Sequence, residues 1–182
     1  MRVLGIAGSL RSDSHNRRLL RAAAALLPPE AEFVELTGLK AIPAFDEDDE
    51  ASPAPAVEQW REQIAQADAL LFATPEYNSS IPGALKNAID WASRPAGSAV
   101  LMNKPAAVVG TSTGMFGAVW AQAELRKALS SAGARVLDRE LPVPDADSAF
   151  APDGALADHE QELALGEIVA ELVAETHVPA AA

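Results

Sequence analysis

The spacing of apolar positions changes period repeatedly along the chain. Residues 3–7, VLGIA, form a continuous apolar run, and Leu19, Leu20, Ala23, Leu26 and Leu27 then recur at helical spacing until two prolines at 28 and 29 end the pattern. This predicts a strand, a loop and a helix. EFVEL (32–36) alternates as a second strand, and Val57, Trp60, Ile64 and Ala67 mark a second helix. ALLFAT (69–74) is unbroken, as expected of a strand covered on both faces. Ile81, Leu85, Ala88, Ile89 and Ala92 predict a third helix with Pro82 in its first turn, where a missing N–H is harmless. PAAVVGTS (105–112) predicts a fourth strand, and residues 118–132 a fourth helix with Ala121, Leu125, Ala128, Leu129 and Ala132 inward. RVLDREL (135–141) predicts a fifth strand, and Leu165, Ile168, Val169 and Leu172 a last helix.

Strands alternating with helices imply right-handed crossovers and a parallel sheet covered on both faces. Five strands and five helices fit an α/β, doubly wound, flavodoxin-like sheet of order 2-1-3-4-5. In such sheets a ligand lies beyond the carboxyl ends of the strands, at the switch point between strands 1 and 3. The loops there are GSLRSDSHN (8–16), PEYNSSIP (75–82) and TSTGMFG (111–117). The 182 residues suit one domain, expected over 1–176, with 177–182 as a frayed tail.

Composition narrows the chemistry. A net charge of -12 opposes sequence-independent binding to nucleic acid or anionic lipid, so any phosphate must be met locally. No apolar run approaches the roughly 18 residues of a membrane span. The start reads as a first strand and the protein as cytoplasmic. Cysteine is absent, which removes disulfides, thiolate metal sites and a cysteine nucleophile. His15, His159 and His177 are scattered, and no metal site is expected. The acids at 46–50 read as a solvated loop.

A helix N-terminus offers unpaired N–H groups and partial positive charge, so a hydroxyl-rich loop feeding it can surround a phosphate. Gly8 lets the backbone approach closely, Ser9, Ser14 and Asn16 can donate hydrogen bonds, and Arg11 supplies a full positive charge. The competing reading is that Ser14 or Asn16 simply caps the first helix. Neither a Walker A loop nor a G-x-G-x-x-G fingerprint is present, and a terminal phosphate on a mononucleotide suits the loop better. In the second loop Pro75 stiffens the turn, so the amides of 76–78 can face a flat ring beside Tyr77, the only tyrosine. In the third, Ser112, Gly114 and Gly117 allow close backbone approach from the other side, although both glycines also read as plain turn residues.

GSLRSDSHN, TPEYNSSIPGALKNAIDWASRP and GTSTGMFGAVWAQAELRKAL resemble the three signature stretches of the NADPH-dependent FMN reductase family, which includes chromate-, quinone- and azo-reducing members. The resemblance spans residues 1 to about 142. It implies that Ser9, Arg11, Ser14 and Asn16 hold the FMN phosphate, that Pro75, Glu76, Tyr77 and Asn78 line the isoalloxazine, and that Ser112, Gly114 and Gly117 approach the flavin from the third loop. It also implies a homodimer with FMN near the interface, sometimes paired into a tetramer. The chain departs from the pattern at Ser79, where many relatives have an aromatic, and at Trp120 and Ala123, where tetramer-forming relatives often carry Arg and Tyr.

With FMN bound, the cofactor carries the chemistry and no protein residue is needed as a catalytic acid or base. The implied reaction passes hydride from NADPH or NADH to FMN and then to a small acceptor by ping-pong kinetics: a quinone, an azo compound, free flavin or a metal oxyanion. The alternatives on this fold are a flavodoxin-type electron carrier, which does not oxidise NAD(P)H, and a flavin-free binding or scaffold protein. A carrier typically encloses its flavin between aromatic rings, and only Tyr77 and Phe116 are available in these loops.

Overall fold

The computed structural model describes residues 1–178. Six strands and five α-helices make up this span, alternating except where β6 follows β5: β1 (Arg2–Ala7), α1 (His15–Ala25), β2 (Glu32–Glu35), α2 (Pro55–Gln66), β3 (Ala69–Thr74), α3 (Gly83–Ala92), β4 (Pro105–Thr111), α4 (Val119–Ser131), β5 (Arg135–Val136), β6 (Pro142–Val143) and α5 (His159–Glu175). Every strand pairing is parallel, in the order β2-β1-β3-β4-β5, with β6 also paired to β4. This is the flavodoxin-like sheet. Of the expected tail at 177–182, residues 177 and 178 follow α5 in a hydrogen-bonded turn, and 179–182 lie outside the described residues.

Apart from Arg2, Thr74 and Thr111 at their ends, the central strands are apolar because the sheet separates two cores. Leu4, Ile6, Leu70, Phe72, Ala106 and Val108 face one way, against Val57, Trp60, Ile64, Leu85, Ile89, Leu125 and Leu129 of α2, α3 and α4. The alternate positions Val3, Ala69, Leu71, Ala73, Ala107 and Val109 face α1 and α5 through Leu19, Leu20, Ala23, Leu165, Ile168, Val169 and Leu172. A period of two along each strand thus gives each face its own helical layer.

The fifth strand differs from the expected 135–141. It is split: β5 pairs with the start of β4 through Arg135 and Val136, and β6 with its end through Pro142 and Val143. Between them Leu137 and Leu141 stay buried, whereas Asp138, Arg139 and Glu140 cannot enter a covered sheet and turn outward. Arg139 bonds Glu171 of α5 and Arg126 of α4 bonds Glu140. The Glu171 hydrogen bond, with that carboxylate's charge, raises the Arg139 pKa above its usual value.

The irregular stretch before α2 is strapped to α3. The Pro43 carbonyl accepts from Asn87 Nδ2 (2.8 Å) and Trp91 Nε1 (2.9 Å), and Arg94 pairs with Glu47 and Glu50. Residues 47–49 form a 3-10 turn capped by Asp46, and the acids at 46–49 are exposed. Among the described residues no cluster of histidine and carboxylate side chains is arranged to hold a metal, and no helix is long and apolar enough to cross a membrane.

Candidate flavin site

Parallel pairing brings the ends of β1, β3 and β4 side by side, and the loops leaving them meet at one edge of the sheet. Two glycines near these ends have no room for a side chain. A Cβ on Gly8 would come 2.9 Å from Leu85 Cδ2, and one on Gly110 would come 2.8 Å from the Thr74 carbonyl oxygen. A side chain at Gly110 would press on the backbone of β3, and one at Gly8 would displace the Leu85 side chain of α3.

A cavity of about 120 Å³ lies between these loops, and Ser9, Arg11, Ser14, Asn16, Pro75, Glu76, Tyr77 and Ser112 all border it. That is well below the roughly 300 Å³ of an enclosed small-molecule pocket, and fits a phosphate-sized group with the remainder of a ligand lying across open loop surface. Three other bordering residues carry no sequence signal that singles them out: His15, Thr111 and Thr113. His15 opens α1 and sets Nε2 3.2 Å from Asp147 Oδ1.

Ser14 and Asn16 take different roles. Ser14 is the N-cap residue of α1, yet its hydroxyl makes no capping bond. Its Oγ is buried and has no hydrogen-bond partner among the described residues. A buried hydroxyl left unsatisfied is costly, and here it borders the cavity at a helix N-terminus, where an anion would complete it. Asn16 instead spends its amide on β4: Nδ2 donates to the Thr111 carbonyl at 3.0 Å, and the Thr111 N–H donates to Oδ1 at 3.1 Å. Ser9 is nearly buried, and its Oγ accepts from the Arg11 N–H at 3.4 Å. The exposed Arg11 guanidinium takes part in none of the ion pairs of the described residues. Free cation, unpaired hydroxyl and helix N-terminus together fit the phosphate of FMN.

The second loop is a tight hairpin. Asn78 and Ser79 both have positive φ, 53° and 59°, and Tyr77 and Ser80 exchange backbone hydrogen bonds across them. This is the primed turn geometry that asparagine tolerates better than most residues. The Tyr77 N–H is thereby committed to Ser80, while the amides of Glu76 and Asn78 have no partner among the described residues. Asn78 is exposed at the turn, away from the cavity lining, and Tyr77 is 49% exposed beside it. Glu76 Oε2 accepts from the N–H groups of Trp120 and Ala121, each at 3.1 Å.

The third loop separates its two glycines. Gly114 is exposed, and a Cβ there would meet only Ser112 Oγ, at 3.9 Å. Gly117 is buried with φ +53°, and a Cβ would lie 2.5 Å from the Val143 nitrogen. It serves the packing of the loop on β6 and stands outside the cavity lining. Buried Gln122 holds this junction: Nε2 donates to the Gly117 and Leu141 carbonyls at 3.1 and 3.2 Å, and Oε1 accepts from the Leu141 N–H at 3.0 Å. A glutamine at an inward helical position is its only sequence signal.

Residues 1–147 match the family model described as NADPH-dependent FMN reductase. The chain belongs to this family. It is thus a flavin-dependent NAD(P)H oxidoreductase, an enzyme. Among its relatives is an NAD(P)H-dependent FMN reductase of Pseudomonas aeruginosa, 49% identical over 160 residues that cover 87% of this chain and 85% of the relative. A 2-hydroxy-1,4-benzoquinone reductase of a Burkholderia species is 44% identical over 128 residues, covering 69% and 68%. Among solved structures, a flavoenzyme NAD(P)H:(acceptor) oxidoreductase from Paracoccus denitrificans superposes with a TM-score of 0.83 at 37% identity, covering 96% of each chain.

Proposed function

We propose that the crevice formed by the loops after β1, β3 and β4 holds FMN, accepts a nicotinamide on its open side and then admits a small oxidised acceptor. The observation that carries this reading is Ser14 Oγ, buried without a partner at the N-terminus of α1 and bordering the same cavity as Arg11. Ser9, Ser14 and Arg11 meet the phosphate, and Asn16 holds the cavity wall by fixing Thr111. Pro75, Glu76, Tyr77 and Asn78 form the wall beside the ring, with Ser112 and Gly114 across from them and Gly117 anchoring the third loop. When bound, FMN supplies hydride acceptance and delivery, so the protein's task is to bind, orient and limit access.

The open crevice favours the reductase reading over an electron carrier. Tyr77 and Phe116, the aromatic residues of the second and third loops, are 49% and 54% exposed. A face left uncovered admits nicotinamide and acceptor in turn, which gives ping-pong kinetics. The relatives named for quinone reduction favour a quinone as acceptor, with azo compounds, free flavin and metal oxyanions as the other classes to assay. Residues 1–176 act as one FMN-binding domain, in a cytoplasmic setting where NAD(P)H is supplied. The functional unit is a homodimer or a pair of dimers; an open groove of about 470 Å³ between α3 and α4, floored by Ile81, Ile89, Ala128 and Ala132, offers a surface for that association.

The test is an absorbance spectrum after incubation with FMN and desalting, followed by anaerobic NADPH or NADH and then a quinone. A retained flavin band that bleaches with either nucleotide and returns with the quinone is expected. A retained band that neither nucleotide bleaches would favour the carrier, and failure to bind FMN on titration would overturn the site.

A further inference from the structure

Helix α4 begins without a side chain to cap it. Its N-cap residue is Ala118, in a left-handed conformation with φ +63°. An α-helix starts with four N–H groups lacking intrahelical partners, and a capping side chain normally accepts from the second or third. Here the Val119 N–H donates to the Phe116 carbonyl at 3.1 Å, and the Gln122 N–H makes the first helical bond, to Ala118, at 3.0 Å. The two between them, Trp120 and Ala121, both donate to Glu76 Oε2. The missing cap is therefore supplied from a different loop, 44 residues earlier in sequence.

This contact joins the two walls of the crevice. Glu76 borders the cavity and lies between Pro75 and the hairpin of Tyr77–Ser80. α4 begins directly after the loop that carries Ser112 and Gly114. The negative carboxylate is favoured at the positive end of the helix, and each bond to it is charge-assisted. On the proposed reading of the crevice as the flavin site, on which this inference rests, these walls flank the ring.

We propose that Glu76 is a positioning residue: seated on the N-terminus of α4, its carboxylate locks the loop after β3 to the loop after β4, so that the flavin ring meets walls already in place. Preorganisation raises affinity by removing the cost of ordering the loops during binding. The effect belongs to the ring side of the ligand, and phosphate contacts are made elsewhere. Glu76 acts by reach and by hydrogen-bond acceptance. Glutamine retains an oxygen at the same distance; aspartate retains the charge on a stem one methylene too short.

Titrate the full-length apoprotein with FMN and with riboflavin, which lacks the phosphate, and compare Glu76→Ala, Glu76→Gln, Glu76→Asp and Arg11→Ala. In Glu76→Ala and Glu76→Asp, both flavins are expected to bind roughly ten-fold more weakly, whereas Glu76→Gln, which keeps the acceptor and loses the charge, falls between these variants and wild type. Arg11→Ala weakens FMN alone. Hydrogen exchange of the Trp120 and Ala121 amides, measured without flavin, should quicken in Glu76→Ala and Glu76→Asp and stay slow in Glu76→Gln. Wild-type affinity for both flavins in Glu76→Ala would overturn the assignment, as would a loss confined to FMN or rescue by aspartate instead of glutamine. A wild-type protein that holds neither flavin would overturn the functional reading itself, and this assignment with it.

Discussion

Asn16 and Thr111 exchange two hydrogen bonds across 95 residues of sequence, tying the first turn of α1 to the last residue of β4. Both residues are nearly fully buried, so water cannot replace either bond. Asn16→Ala leaves a buried N–H and a buried carbonyl unpaired and should cost about 2–3 kcal/mol of stability. FMN affinity should fall with it, because Thr111 and Asn16 border the cavity. Denaturant unfolding of the apoprotein checks the first effect and flavin titration the second. Unfolding at the wild-type midpoint would show that the clamp contributes nothing.

Ser14 should behave in the opposite way. Its Oγ makes no hydrogen bond, so Ser14→Ala removes nothing from the apoprotein and stability should stay within about 0.5 kcal/mol of wild type. A hydrogen bond to a charged group contributes about 1.5–3 kcal/mol, so FMN should bind correspondingly more weakly while riboflavin is unaffected. Arg11→Ala removes a charge-assisted bond and should lose a similar amount, with a flatter dependence of affinity on salt. Equal affinity of wild type and both variants for FMN would take these residues out of the phosphate site.

Gln122 offers a test of the third loop at a distance from the ligand. Its amide makes three bonds, to Gly117 and to both backbone groups of Leu141. Gln122→Leu keeps the bulk but leaves the Gly117 carbonyl and the Leu141 N–H unpaired in the core, while the Leu141 carbonyl keeps the Gly110 N–H, for an expected loss of about 2–3 kcal/mol. Gln122→Glu keeps only the bond from the Leu141 N–H and turns carboxylate oxygen toward two carbonyls, so it should be at least as harmful. Thermal unfolding of the three proteins side by side checks the order.

These cases mark what the sequence discloses and what it leaves to the fold. β3 is legible to the residue, because a strand covered on both faces shows an unbroken apolar run with sharp ends. The fifth strand is not, since Asp138, Arg139 and Glu140 sit amid an otherwise strand-like pattern and their outward turn depends on partners in α4 and α5. The three loops announce themselves by composition and by position after β1, β3 and β4. The division of labour within them does not. Ser14 and Asn16 are equivalent cap or phosphate candidates on paper, and only the placement of Thr111 beside α1 commits one to the backbone and leaves the other unpaired. Glu76 is equally silent, because its partners are amides of a helix whose own N-cap position is alanine.

Gly114 and Gly117 look alike in sequence and should part sharply on substitution. At Gly117 the backbone is left-handed and a Cβ would press on the Pro142 carbonyl carbon at 2.6 Å and the Val143 nitrogen at 2.5 Å. Backbone of β6 cannot yield without breaking its pairing to β4, so Gly117→Ala should lose at least about 2 kcal/mol of stability even before flavin is considered. At Gly114 the space is open and φ is not in the left-handed region, so Gly114→Val should fold and unfold like wild type. Its two added methyl groups would stand where the loop faces the proposed ring. Flavin affinity and quinone turnover should both fall, with the apoprotein unfolding midpoint unmoved. A Gly114→Val protein that retains FMN and full activity would separate this stretch of the third loop from the ring, leaving Gly117 and Gln122 with a purely architectural role.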